Sequence, residues 1–61
     1  MKNKKKIIKM IPRLILENQK IKTPEDWYID YIDGFAIEMT INRIYIYDEN
    51  SGEPIIDINL N

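Results

Sequence analysis

The chain has 61 residues, a net charge of −1, 44% hydrophobic and 31% charged residues, which is the balance of one folded domain over 1–61 and not of a disordered chain. It contains no Cys and no His, so disulfides are excluded and most zinc sites are removed. A core this small supplies roughly 3–5 kcal/mol, and we therefore expect the protein to associate, most simply as a homodimer.

The charges are distributed unevenly along the chain. Residues 1–22 hold eight basic side chains and one acidic side chain, a net of +7. Residues 23–61 hold one basic and nine acidic side chains, a net of −8. This asymmetry predicts contact with a charged partner, or neutralisation of one segment by the other within the fold or between subunits.

The N-terminus shows no convincing targeting segment. Residues 1–5 are interpreted as a basic tail without regular structure. The apolar run that follows is broken by Lys9, Pro12 and Arg13, and no small-residue cleavage site follows it. No stretch approaches the ~20 apolar residues of a membrane span, so we expect a cytoplasmic protein that binds no membrane.

Residues 6–17 fit two structures. As a helix, the segment has an apolar face of Ile7, Ile8, Ile11, Leu14 and Ile15. Pro12 would then stand inside the helix, at a cost of about 3 kcal/mol. As a strand, the segment has an apolar face of Ile8, Met10, Pro12, Leu14 and Leu16. We prefer a long bent strand, with the helix as the alternative.

The next element is a predicted strand that begins near Trp27. The run Thr23-Pro24-Glu25-Asp26 is typical of a helix start, and a helix up to Asp33 is the competing interpretation. Alternating apolar residues and the aromatic content favour a strand. One helical turn leading into a strand satisfies both signals.

Turn chemistry sets the predicted register of the following strands. We prefer a three-residue loop over 32–34, because it pairs Tyr31 with Phe35 and turns Trp27, Ile29 and Tyr31 inward. A two-residue Asp33-Gly34 turn would place an acid among the apolar positions. A second turn is predicted at Asn42-Arg43, followed by a loop over 48–54 and a last strand that pairs Ile56 with Ile46.

These elements predict an all-β fold, an antiparallel meander of four to five strands forming a partly open barrel or sandwich. The alternative is an α+β fold in which an N-terminal helix packs on a four-stranded antiparallel sheet. In either fold the outer face of the sheet combines tyrosine rings with carboxylates. Its predicted partner-binding residues are Tyr28, Asp30, Glu38, Tyr45, Tyr47 and Asp57.

Catalysis is not expected, because His and Cys do most acid–base and nucleophilic work and neither is present. The run from Asp48 to Glu53 departs from the glycine and glutamate spacing of an EF-hand loop, so no metal site is predicted. No phosphate-cradling glycine pattern occurs either. We expect no cofactor and no small-molecule ligand.

A small non-catalytic protein-binding module is therefore the predicted function. Tyrosine suits contact surfaces and carboxylates would select a basic protein surface. By analogy of size and charge alone, such a module could inhibit a nucleic-acid-binding protein, as phage- or plasmid-encoded inhibitors do. The alternative is a nucleic-acid-binding protein whose phosphate contacts come from Lys2, Lys4, Lys5, Lys6 and Lys9.

Overall fold

The computed structural model of the protein describes residues 4–60, which form one helix and one open antiparallel sheet. Helix α1 spans Lys4–Asn18. Strands β1 (Tyr28–Ile32), β2 (Phe35–Thr40), β3 (Arg43–Asp48) and β4 (Pro54–Asn59) follow as a meander in the order β1-β2-β3-β4. The four-stranded meander is confirmed, whereas the all-β prediction is wrong for the first segment. The chain has the alternative α+β arrangement.

Helix α1 forms despite Pro12 because its apolar face has a sheet to pack on. Ile7 and Leu14 are buried, and Met10 and Ile15 pack against the same core. Pro12 lies on the exposed side of the helix. The Ile8 carbonyl loses its amide donor to the proline ring, and the residue Ile8 is 53% exposed. Ile8 is thus not part of the buried face, contrary to the helical alternative.

The core lies between α1 and the two central strands. Its strand side chains are apolar residues of β2 and β3 that alternate with half-buried or outward-facing positions. These buried strand residues are Phe35, Ile37, Met39, Ile44 and Ile46. Ile56 and Ile58 of β4 extend the same layer, each beside a β3 partner. One face of the sheet is therefore covered by the helix.

The first hairpin closes through a two-residue turn, which corrects the predicted three-residue loop. Asp33 has φ 52° and Gly34 has φ 81°, the two positive values of the turn that matches strand twist and favours Asp-Gly. Ile32 pairs with Phe35 and Asp30 with Ile37. Asp30 is tolerated on the apolar side because β1 is an edge strand and this carboxylate is exposed.

The one-residue change of register reverses the faces of β1. Ile29 pairs with Glu38 and Tyr31 with Ala36, so both side chains point away from the helix. Trp27 precedes the strand and is 64% exposed. The predicted inward set of Trp27, Ile29 and Tyr31 is therefore wrong. Thr23–Asp26 forms a single turn, which the Asp26 amide closes by donating to the Thr23 carbonyl. One turn followed by a strand fits both the helix-start signal and the strand signal of this segment.

The second hairpin also differs by one residue at its turn. Thr40 pairs with Arg43, so the turn residues are Ile41 and Asn42 and not Asn42 and Arg43. Among residues 4–60 only Asp33 combines a side chain with positive φ, so Asn42 does not use the conformation on which that prediction relied. Met39 pairs with Ile44, and both side chains lie on the inner face. The pairing of Ile46 with Ile56 is confirmed.

The described chain contains no helix with the length and apolarity needed to cross a membrane.

Candidate functional site: the tyrosine face of the sheet

The sheet surface opposite α1 carries no covering element within residues 4–60. The meander brings together on it side chains from all four strands, in cross-strand rows. One row runs from Ile29 through Glu38 and Tyr45 to Asp57, and a neighbouring row carries Tyr31 and Tyr47. We call this surface the tyrosine face; its members are Ile29, Tyr31, Glu38, Arg43, Tyr45, Tyr47 and Asp57.

Ring contacts order the middle of the tyrosine face. The ring centroids of Tyr45 and Tyr47 lie 5.4 Å apart with planes tilted by 35°, a favourable aromatic separation. Ala36 is fully buried even though it lies on this face, because its small side chain stands between Tyr31 and Tyr47 in the same row. Tyr45 and Tyr47 thus form one ring pair, and Tyr31 lies on the other side of Ala36 in the same row as Tyr47, 57% exposed.

Arg43 organises one border of the tyrosine face. Its Nε and Nη2 donate to the two carboxylate oxygens of Asp57, each at 2.8 Å, and its guanidinium carbon lies 4.6 Å from the centroid of the Tyr45 ring. The bond to Arg43 holds the pKa of Asp57 below its usual value and raises that of Arg43. Asp57 is therefore a neutralised carboxylate and not an open acidic contact.

Glu38 is the carboxylate at the centre of the tyrosine face. It lies in the same row as Tyr45 and diagonal to Tyr47 of the neighbouring row. The pKa of Tyr47 is raised by partial burial first, then by the negative charge of Glu38 and by hydrogen bonding to that carboxylate. The protonated Tyr47 hydroxyl and the Glu38 carboxylate therefore favour each other on this face.

Acidic turns surround one end of the face. The turn after β3 is folded by Asp48, whose Oδ1 accepts from the amides of Asn50 and Ser51 at 2.8 and 3.0 Å. Glu49 donates its amide to the Gly34 carbonyl at 3.0 Å, which joins this turn to the first hairpin. Glu49 and Glu53 are exposed there, close to the row that holds Tyr31 and Tyr47. The tyrosine face therefore has negative surroundings at that end.

The structure brings together four of the six predicted partner-binding residues, Glu38, Tyr45, Tyr47 and Asp57. Tyr28 and Asp30 lie on the opposite side of the sheet, beside α1, since they pair with the buried Met39 and Ile37. There they line a groove with Arg13, Leu14 and Glu17 of the helix. They do not share a surface with the other four, which follows from the reversed faces of β1.

Sequence reasoning missed Ile29, Tyr31 and Arg43 as members of the face. The signal for the first two was present in the Asp-Gly dipeptide, the strongest short-range indication of a two-residue hairpin turn. Following that signal gives the observed register. Arg43 was assigned to a turn, and its part in the face depends on the second turn lying one residue earlier.

Four of the five predicted nucleic-acid-binding lysines lie in the first part of α1. Lys4, Lys5, Lys6 and Lys9 are exposed, and Lys6 forms an ion pair with Asp33 in the first hairpin turn. Lys2 lies outside the described residues. The helix therefore carries the basic charge on the side of the molecule away from the tyrosine face, while part of it meets the acidic sheet layer directly.

Within residues 4–60 no three carboxylates come close enough to one another to hold a metal ion. The tyrosine face offers hydroxyls, rings and a central carboxylate, which are groups for contact with another surface. Comparison with known proteins adds no family, because no family model matches the sequence and no curated protein or solved structure matches it.

Proposed function

We propose that the protein is a non-catalytic binding module whose tyrosine face docks on a basic surface of another protein. The observation that carries the proposal is the open sheet face itself, on which three tyrosine side chains and the Glu38 carboxylate lie in two neighbouring cross-strand rows. Tyrosine brings apolar area and a hydroxyl to an interface at small entropy cost. Glu38 and the acidic turn would attract and orient cationic groups.

The charge of the proposed surface differs from the one predicted on sequence. Asp57 is occupied by Arg43 and Asp30 lies on the other side of the sheet. Selection for a basic partner would therefore depend on Glu38 within the face and on Glu49 and Glu53 at its end. A basic groove that otherwise holds nucleic acid is one such partner surface, and inhibition of a nucleic-acid-binding protein stays part of the proposal.

A defined probe tests the proposal. We would titrate the ¹⁵N-labelled protein with a synthetic amphipathic peptide of Lys and Leu at helical spacing, and with its counterpart in which Glu replaces Lys. The expected result is saturable shifts of the Glu38, Tyr45 and Tyr47 amides with the basic peptide alone. Tyr31→Ala should weaken binding about tenfold or more, the loss typical of an aromatic anchor.

Tyr28→Ala is the matched control, because Tyr28 is 45% exposed on the same strand but on the opposite side of the sheet. It should bind the peptide as the wild type does. Equal loss in the two variants, or equal binding of the acidic and basic peptides, would contradict the proposal.

Nucleic-acid binding is the second candidate, and the exposed lysines of α1 favour it. Fluorescence anisotropy with single- and double-stranded DNA and RNA across a salt series separates the two. Each phosphate contact would contribute about −0.9 to the slope of log K against log salt on duplex DNA. A steep slope that disappears in the Lys5→Glu/Lys9→Glu variant, with no binding of the basic peptide, would replace the first candidate by the second.

A further inference from the structure

The two layers of the fold separate the charges of the chain. Residues 4–22, which include α1, carry seven basic side chains and one acidic one, a net of +6, while residues 23–61, which include the sheet, carry −8. The layers meet on the inner side of the sheet. Their outer surfaces, the solvent side of α1 and the tyrosine face, point in opposite directions. The first carries lysines, and the second carries the Glu38 carboxylate and is bordered by Glu49 and Glu53.

The solvent side of α1 is a basic ridge with exposed apolar side chains. Its residues are separated by three or four positions and lie opposite Ile7 and Leu14. Ile8 and Leu16 are 53% and 63% exposed, and no acidic residue stands among them. The basic ridge consists of Lys5, Ile8, Lys9, Pro12 and Leu16, all of them exposed.

The basic ridge and the tyrosine face are complementary in two respects. The ridge offers cations and two aliphatic side chains, and the face offers rings, Ile29 and a carboxylate. A sheet with apolar side chains on its open face is completed by a helical layer on that side. Within residues 4–60 the one helix covers the inner face, and the helix of a second copy would supply a layer on the other side.

We infer that the basic ridge of one copy docks on the tyrosine face of a second copy. The inference rests on the proposed function, since it names the protein's own helix as a basic partner. The two surfaces lie on opposite sides of one molecule, so the contact is heterologous and leaves a free ridge and a free face after each addition. The product is an open front-to-back stack, whereas the expectation from sequence is a homodimer.

A charge-swap experiment with the full chain tests the inference by sedimentation velocity at about 50 mM salt, where electrostatic contacts are weakly screened. Wild type should sediment as a mixture of species larger than monomer. Lys5→Glu/Lys9→Glu, which reverses the ridge, and Glu38→Lys, which reverses the face, should each be monomeric alone. Their equimolar mixture should associate again, because the intact ridge of one fits the intact face of the other.

Controls separate association from folding. Lys22→Glu reverses a charge at a position that lies beyond the helix and outside the ridge, and it should leave association unchanged. Tyr31→Lys is a second face variant at a largely exposed side chain, for use if the Glu38 variant loses its native circular dichroism spectrum. Monomeric wild type, or mixtures of the two charge variants that stay monomeric, would overturn the inference.

The basic-peptide titration, repeated on the Lys5→Glu/Lys9→Glu variant, distinguishes failure of this inference from failure of the proposed function. That variant keeps an intact tyrosine face and should not self-associate. Peptide binding together with monomeric wild type would refute the stack and retain the binding module. DNA or RNA capture by the ridge with no self-association would assign the ridge to nucleic acid and refute the stack.

Discussion

Asn18 shows what a single buried polar side chain does in this fold. Its Nδ2 donates to the Thr40 carbonyl at 2.7 Å and to the Arg43 carbonyl at 3.4 Å. Those two residues flank the second turn, so one amide ties the last residue of α1 to the end of the central hairpin. No sequence signal indicates this contact, because it joins residues more than 20 positions apart and depends on the turn position and on how the helix lies.

We predict that Asn18→Ala lowers the free energy of unfolding by about 1–3 kcal/mol, the cost of leaving buried acceptors without their donor. Asn18→Asp should cost more, since it sets a carboxylate against two carbonyl oxygens. Urea denaturation measures both. Gln19→Ala, at the exposed neighbouring position, is the control and should change stability little. An Asn18→Ala variant as stable as that control would show that the amide merely fills space.

Helix α1 and strand β1 show which elements could be read from the sequence and which could not. The apolar spacing of Ile7, Leu14 and Ile15 indicates a helix, whereas the interior proline favours a strand. The cost of Pro12 is real, yet packing against a sheet outweighs it. That balance is set by tertiary contacts, which periodicity alone does not contain. The alternation in β2 and β3 was sufficient for those strands, because each has a fully buried face.

The predicted register of β1 is wrong because β1 is an edge strand. Its inner face borders an open groove beside the helix, where Asp30 is exposed, so an acid there meets water and an inward position need not be apolar. Asp30 also has a local use: its Oδ1 accepts from the Tyr31 amide at 2.9 Å. In an antiparallel hairpin with this turn, the Tyr31 amide points toward the open edge. A carboxylate over an edge donor discourages pairing with another strand, which favours association through faces over association through edges.

Pro12→Ala tests the account of the helix. Restoring the amide donor to the Ile8 carbonyl should raise the free energy of unfolding by about 1–3 kcal/mol, since proline is that much poorer than alanine inside a helix. Because Pro12 is exposed, no packing is lost. Leu16→Ala, also on the solvent side of α1, is the matched control and should stay within about 0.5 kcal/mol of wild type. Chemical denaturation followed by circular dichroism gives both values; a destabilised Pro12→Ala variant would mean that the ring packs in the core.

The whole molecule has only a small core, and its two layers differ in charge. A chain of this length buries only about 60% of the surface it exposes when unfolded, so its stability is sensitive to any contact made only by the folded state. The charge asymmetry can be counted from the sequence. The ion pair of Lys6 with Asp33 shows that the two segments neutralise each other in part. The sequence alone does not predict on which outer surfaces the remaining charges lie, because this depends on the helix lying on one side of the sheet.

The inferred front-to-back stacking would make thermal stability depend on protein concentration. Folded molecules would gain contacts with one another that unfolded molecules lack, so we expect mass action to raise the wild-type Tm as concentration rises. For a domain of this size each kcal/mol gained shifts Tm by roughly 4–8 °C, which differential scanning calorimetry resolves over a hundredfold concentration range. The Lys5→Glu/Lys9→Glu variant should show a Tm independent of concentration over the same range, because its ridge repels the face of the next copy. Parallel slopes in wild type and variant would mean that copies associate through other surfaces, such as the edge of β1, and Asp30→Ala would then steepen both.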